Sequence, residues 1–222
     1  MTERPRYDGV ADWYERVFTT SSLADAPRET ILRLLGDGPG KLLDVGCGTG
    51  CFTSVVARHG WTVTGVDVSE DMLELARKRR LDVVQADGTA LPFNADSFEA
   101  VISMWTHTDI DDFGAAVREV ARVLRSGGPF VYIGAHPCFV GPHSEFVSAE
   151  GAPILHPGYW QTERYIDGPG ISPDGLRAKV GGTHMPLGVF LQSFFAAGFR
   201  VEHFEESEGR EYPYMIALRC RA

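Results

Sequence analysis

The chain has 222 residues, of which 44% are hydrophobic and 23% charged, and it carries a net charge of −9. That length suits one α/β domain over residues 1–222, and the apolar and charged fractions exclude extensive disorder. The negative charge argues against a phosphate backbone as main partner, so no nucleic acid is expected.

The first residues, MTERPRYDGVADWYERVF, hold charges and no apolar core, and no run approaches a membrane span. A soluble cytoplasmic protein with no membrane contact is therefore expected. Cys47, Cys51, Cys138 and Cys220 form no C-x-x-C pair and match no zinc spacing, so no metal is expected. Val10, Trp13, Tyr14 and Val17 stand at helical spacing and predict a helix over 7–19, followed by another over 24–35. These two make an N-terminal helical cover over 1–36.

Strands are predicted at 41–45, 61–66, 81–86, 98–104 and 129–133, with helices at 51–59, 69–80 and 111–124 between them. Ser69 reads as an N-cap, and Arg77 to Arg80 suit a helix C-terminus. Such alternation means βαβ units and a mostly parallel sheet. From 135 to 183 the rhythm stops: eight Gly and six Pro fall in 49 residues. A stretch that long without periodicity is expected to be a mobile cap insertion on the substrate side. A helix over 186–197 and strands over 199–205 and 212–219 close the chain. The connection between those strands is too short for a helical crossover, so they should be antiparallel.

Leu42 to Gly50, LLDVGCGTG, carries the strongest signal. Glycines after a parallel strand let backbone approach a ligand where a Cβ would collide. Asp67 ends the second strand, and a carboxylate there can accept both hydroxyls of a ribose. Asp87 ends the third, and with the Gly88 amide it can meet an adenine edge. The dinucleotide fingerprint G-x-G-x-x-G/A fits less well, because Cys51 stands where its third small residue belongs.

These segments, together with the acid of VDVS, ADGTALPFNADSFEAVIS and RVLRSGGPFVYIG, resemble the successive motifs of the class I S-adenosylmethionine-dependent methyltransferases. More narrowly they resemble the small-molecule branch that includes ubiquinone-type enzymes. The resemblance is close over 7–133 and looser beyond. It implies a Rossmann-like seven-stranded sheet with an antiparallel last strand, S-adenosyl-L-methionine as cofactor, and a small-molecule methyl acceptor. It further implies that Asp44, Gly46, Cys47 and Gly48 sit beside the methionine part and that Asp67 holds the ribose. Val68, Met72, Asp87 and Gly88 would lie near the adenine, Ser103 under the sulfonium, and Tyr7 and Tyr14 over the methionine end.

Oxygen acceptors need a proton removed, which suits histidine. His107 follows the fourth strand and His136 the fifth, so both are candidate bases at the ligand-facing edge. His143, His156 and His184 are weaker candidates, placed to bond the insertion itself. Asp109, Asp111 and Asp112 are read as capping the following helix. Phe139, Phe146, Tyr159, Trp160 and Tyr165 could wall an acceptor pocket, and Arg164 and Arg177 could pair an acidic substrate group. The activity expected is methylation of a small molecule at oxygen, with nitrogen next, in secondary metabolism, by a monomer or homodimer. Two other readings stay open: cofactor binding without transfer, as a cyclising catalyst or regulator, and a protein or RNA methyltransferase.

Overall fold

A computed structural model describes residues 4–18, 25–146, 152–208 and 211–222. Helices α1 (Ala11–Phe18) and α2 (Asp25–Leu35) lead into β1 (Gly40–Val45), α3 (Thr53–Ala57) and β2 (Trp61–Asp67). Then come α4 (Glu70–Lys78), β3 (Asp82–Gln85), β4 (Ala100–Met104), α5 (Phe113–Val123) and β5 (Pro129–Ala135). The insertion holds β6 (Ser144–Phe146), β7 (Pro153–Leu155), β8 (Arg164–Tyr165), α6 (Leu176–Val180) and β9 (Gly182–Thr183). The chain finishes with α7 (Leu187–Ala196), β10 (Arg200–Glu206) and β11 (Met215–Arg221).

Seven strands form one sheet in the order β10-β11-β5-β4-β1-β2-β3. The five from β3 to β5 run parallel, and β11 lies antiparallel to both β5 and β10, as the short connection between the last strands requires. The period-two alternation of side chains divides the core into two layers. Leu43, Val45, Val101, Phe130 and Tyr132 face α5 and α7, where Phe113, Phe190 and Phe194 meet them. Leu42, Ala100, Ile102, Val131 and Ile133 face the opposite way, with Ile31 and Leu34 of α2.

Ser69 caps α4, its hydroxyl accepting from the Met72 amide at 3.3 Å. Two helices are shorter than their apolar spacing suggests. Gly9, at φ +85°, holds residues 5–10 in turns, so α1 starts at Ala11 rather than at Tyr7. Gly50, at φ +77°, extends the turn after β1, which delays α3 to Thr53. Thr19 and Ala24, the expected ends of the first two helices, lie outside the described residues.

The insertion corrects the expectation of a structureless stretch. β6 pairs with β7 and β8 with β9, each antiparallel. Strands of two or three residues are too short for alternation to register in a sequence. Among the described residues no helix is long and apolar enough to cross a membrane.

Phe190 is fully buried and stacks on Phe113 with centroids 5.6 Å apart. Phe190→Ala should therefore lower the unfolding free energy by about 3–5 kcal/mol in a urea titration. Val189→Ala, at a side chain 49% exposed, should change it by no more than about 0.5 kcal/mol.

Candidate functional site

The carboxyl ends of β1 and β2 are joined by the turn Gly46 to Gly50. The Gly46 and Cys47 amides donate to the Val66 carbonyl at 2.8 and 2.9 Å, and the Gly48 amide donates to Asp67 Oδ2 at 2.9 Å. Gly46 and Gly50 are glycines by necessity: a Cβ would stand 2.3 Å from Thr106 and 2.2 Å from Leu81. Gly48 differs. At φ +53°, a Cβ there would meet nothing within 4 Å, so its backbone faces open space.

That space is a cavity of about 500 Å³. Of the expected cofactor residues, Tyr7, Tyr14, Asp44, Gly46, Cys47 and Gly48 line it. Asp67, Val68, Met72, Asp87, Gly88 and Ser103 stand outside its walls. Asp67 is partly buried, holding the Gly48 amide on one oxygen and the Ser69 amide on the other. Val68 and Asp87 are exposed beyond the same strand ends, and Asp87 accepts from the Thr89 amide and hydroxyl at 2.8 Å. Gly88 is buried against Val45, and Met72 is buried with Tyr7 and Tyr14 packed near it. Ser103 braces the turn from below, donating to the Val45 carbonyl at 2.8 Å and sharing a hydrogen bond with Thr106.

Asp44 is the notable charge. It is 1% exposed, and its Oδ2 accepts from the Thr53 hydroxyl at 2.6 Å. Its Oδ1, and the Thr49 hydroxyl nearby in sequence, are buried with no hydrogen-bond partner among the described residues. Burial pushes the Asp44 carboxyl up to about 7, against the Thr53 hydrogen bond that lowers it. Burial likewise raises Asp67 to about 6. Burial also drives the Tyr7 hydroxyl upward, with Asp109 adding to it, and lifts the Cys47 thiol, so neither ionises near neutrality. Cys47 packs on Gly65, where a Cβ would stand 2.8 Å from its sulfur.

Neither candidate base lines the cavity. His107 is 2% exposed inside the aromatic layer, with Nδ1 2.6 Å from the Tyr132 hydroxyl and Phe190 5.2 Å away. Burial depresses it to about 3, so the ring stays neutral. His136 has both nitrogens engaged: Nδ1 accepts from the Cys138 amide at 3.1 Å, and Nε2 donates to Glu206 at 2.6 Å. Each is a core fastening, and neither is put forward as the base. His143 and His184 bond carbonyls within the insertion, to Cys138 and Tyr159.

The acids after β4 do more than cap a helix. Only Asp112 caps α5, accepting from the Ala115 amide. Asp109 takes the Tyr7 hydroxyl and the Arg177 guanidinium; Asp111 takes Arg6 and the Thr183 hydroxyl. The N-terminal segment and the insertion thus fasten to one loop through two adjacent sites. Of the cap aromatics, Tyr165 lines the cavity, Phe139 packs on His136, and Trp160 is 81% exposed. Trp105 was not anticipated. Its φ of +63° turns the chain at the end of β4 and sets the residue in the cavity wall. A tryptophan just past a strand gives no such signal in sequence.

A methyltransferase domain family model matches residues 43–132. Demethylmenaquinone methyltransferase of Mycobacterium marinum is 38% identical over 128 residues, 56% of this chain and 55% of that protein. Fatty-acid O-methyltransferase of Mycolicibacterium smegmatis is 38% identical over 120 residues, 51% of this chain and 43% of that protein. The chain spans about half the length of these curated relatives. A crystal structure of an S-adenosylmethionine-dependent methyltransferase from Mesorhizobium loti superposes with a TM-score of 0.72 at 24% identity, over 97% of this chain and 99% of that one.

The Asp44 shift has a definite sign. A carboxyl easier to protonate folded than unfolded adds stability fully present below its ordinary value of 3.8 and lost as pH rises through about 7. His107 acts oppositely, its contribution lost as pH falls from 6.5 towards about 3. Asp44→Asn should therefore gain stability over wild type as pH rises, from roughly 1–2 kcal/mol near pH 5 to roughly a few kcal/mol near pH 8. Urea titrations of the ligand-free proteins at both pH values measure the difference.

Proposed function

We propose that this chain, which a methyltransferase domain model matches over residues 43–132, is a class I S-adenosylmethionine-dependent methyltransferase that transfers a methyl group from S-adenosyl-L-methionine to a small molecule. The observation that carries this is the unpartnered Asp44 Oδ1 beside the open backbone of Gly48. A buried carboxylate oxygen without a partner is costly, and a cationic amino group satisfies it. The residues present fit the cofactor on that ground.

When bound, S-adenosyl-L-methionine supplies a methyl group already activated on a sulfonium. Asp44 and the Thr49 hydroxyl would hold the amino-acid end, with Tyr7 and Tyr14 over it. Asp67 would accept the ribose hydroxyls through its remaining lone pairs, with Val68, Met72, Asp87 and Gly88 around the adenine. Ser103 keeps the glycine turn at its height. Phe18, Phe52, Met104 and Trp105 exclude water from the acceptor side, where positioning does most of the work. Residues 135–183 act as the substrate-side cap and 1–36 as the N-terminal cover.

The acceptor atom is oxygen by preference and nitrogen next, in secondary metabolism, with the protein cytoplasmic and monomeric or homodimeric. Transfer to protein or RNA is disfavoured by the negative charge and the walled cavity. Binding without transfer shares the same pocket, and the absence of a histidine from the described lining residues suits it.

Two measurements test the reading. Asp67→Ala should weaken calorimetric affinity for S-adenosyl-L-methionine by about 30–100-fold, a loss of about 2–3 kcal/mol; unchanged affinity contradicts the ribose role. Incubation of the wild type with a panel of small acceptors should yield S-adenosylhomocysteine. Tight cofactor binding with no such product from any of them favours the non-transferring reading.

A further inference from the structure

Arg177 is the one cationic side chain among the described residues that line the cavity. It lies on α6, in the insertion, on the wall contributed by residues 165–177. Its two terminal nitrogens are spent. Nη1 donates to Asp109 Oδ1 at 2.5 Å and to the Gly181 carbonyl at 3.0 Å. Nη2 donates to Asp109 Oδ2 at 3.1 Å and to the Thr108 hydroxyl at 2.8 Å. All four Nη hydrogens are therefore committed, two of them in a bidentate fork. Both side chains of the pair are about one-fifth exposed, 21% and 18%.

We infer that Asp109, by holding Arg177, makes this cavity a site for an uncharged, ring-bearing acceptor and closes it to carboxylates. The inference rests on the methyl-transfer reading of the same site. A carboxylate entering the cavity would have to take Arg177 from Asp109 and leave a largely buried acid with only the Tyr7 and Thr108 hydroxyls, which costs more than the exchange returns. Asp44, the one acid among the described lining residues, would hold the cofactor's amino group at the other end, so no unpaired cation there faces an entering anion. The rest of the acceptor side is Phe52, Trp105, Tyr165, Leu176 and Tyr214, broad faces on which a flat ring packs. Of the two relatives' chemistries, the one named for a fatty acid has a carboxylate to place, and this wall offers it no counter-ion.

The test uses a neutral and an anionic naphthalene, 2-naphthol and 2-naphthoate, titrated at neutral pH into the protein saturated with S-adenosylhomocysteine. Calorimetry or quenching of tryptophan fluorescence gives each affinity. Wild type should bind the naphthol at least about tenfold more tightly than the naphthoate. Asp109→Asn, which leaves the guanidinium charge uncompensated, should narrow that ratio about tenfold by gaining naphthoate affinity. Arg177→Met should keep the naphthol preference. Equal or tighter naphthoate binding by the wild type overturns the inference without need of any variant. So does a ratio that Asp109→Asn leaves unmoved, or an Arg177→Met protein whose chief loss is affinity for S-adenosylhomocysteine, since Arg177 would then serve the cofactor. Failure of the wild type to bind S-adenosylhomocysteine at all overturns instead the methyl-transfer reading beneath it.

Discussion

Everything at the site depends on one turn being hung from the strand beside it. Two successive amides, Gly46 and Cys47, share the Val66 carbonyl, and a third, Gly48, reaches the Asp67 carboxylate. Those bonds tie the end of β1 to the end of β2 and fix the height of the loop above the sheet. Because Gly46 and Gly50 lack a Cβ, Thr106 and Leu81 can close against the loop from both sides. The loop is thus rigid at its ends and bare at Gly48. Asp44 is left at the foot of that bare segment with one oxygen held by Thr53 and the other unpartnered.

The N-terminal segment and the insertion meet at the loop after β4, although the N-terminal segment is also held to Ser69, Asp71 and Arg79. Asp109 and Asp111, two residues apart after β4, each accept one group from the N-terminal segment and one from the insertion. A shared pair of carboxylates couples them, since losing Asp109 would release Tyr7 and Arg177 together. The same coupling fixes the charge of the cavity wall, because the guanidinium that locks the insertion is the one that would otherwise face an acceptor.

The sheet was legible in the sequence because parallel interior strands read as apolar runs, and β1, β2, β4 and β5 fall where those runs are. The antiparallel pairing of the last two strands followed from a connection too short for a helix. The glycine turn was legible because backbone at positive φ with neighbours closing on it tolerates few residue types, and Asp67 because it ends the strand beside that turn. The histidines were not. Position after a strand says that a side chain begins near the ligand edge, but not whether it turns outward or back. His107 turns back because Phe113, Tyr132 and Phe190 offer an aromatic pocket with a hydroxyl at the right depth, and those residues come from three separate elements. Arg177 was visible as a possible partner for an acidic substrate, yet its pairing with a residue 68 positions away is a tertiary fact that no local pattern encodes.

The buried acids of the site also set how it would respond to a cation. Asp44 and Asp67 are both raised by burial, so the folded ligand-free chain carries a cost near neutrality that an ordinary surface carboxylate does not. A ligand bringing a positive charge to Asp44 relieves that cost and binds better for it. Arg177 and Asp109 show the opposite arrangement a short distance away: opposite charges brought together before any ligand arrives, so that nothing is gained by bringing another. The cavity is therefore polarised along its length, with an unmet negative charge at the strand ends and a neutralised, ring-lined wall facing it.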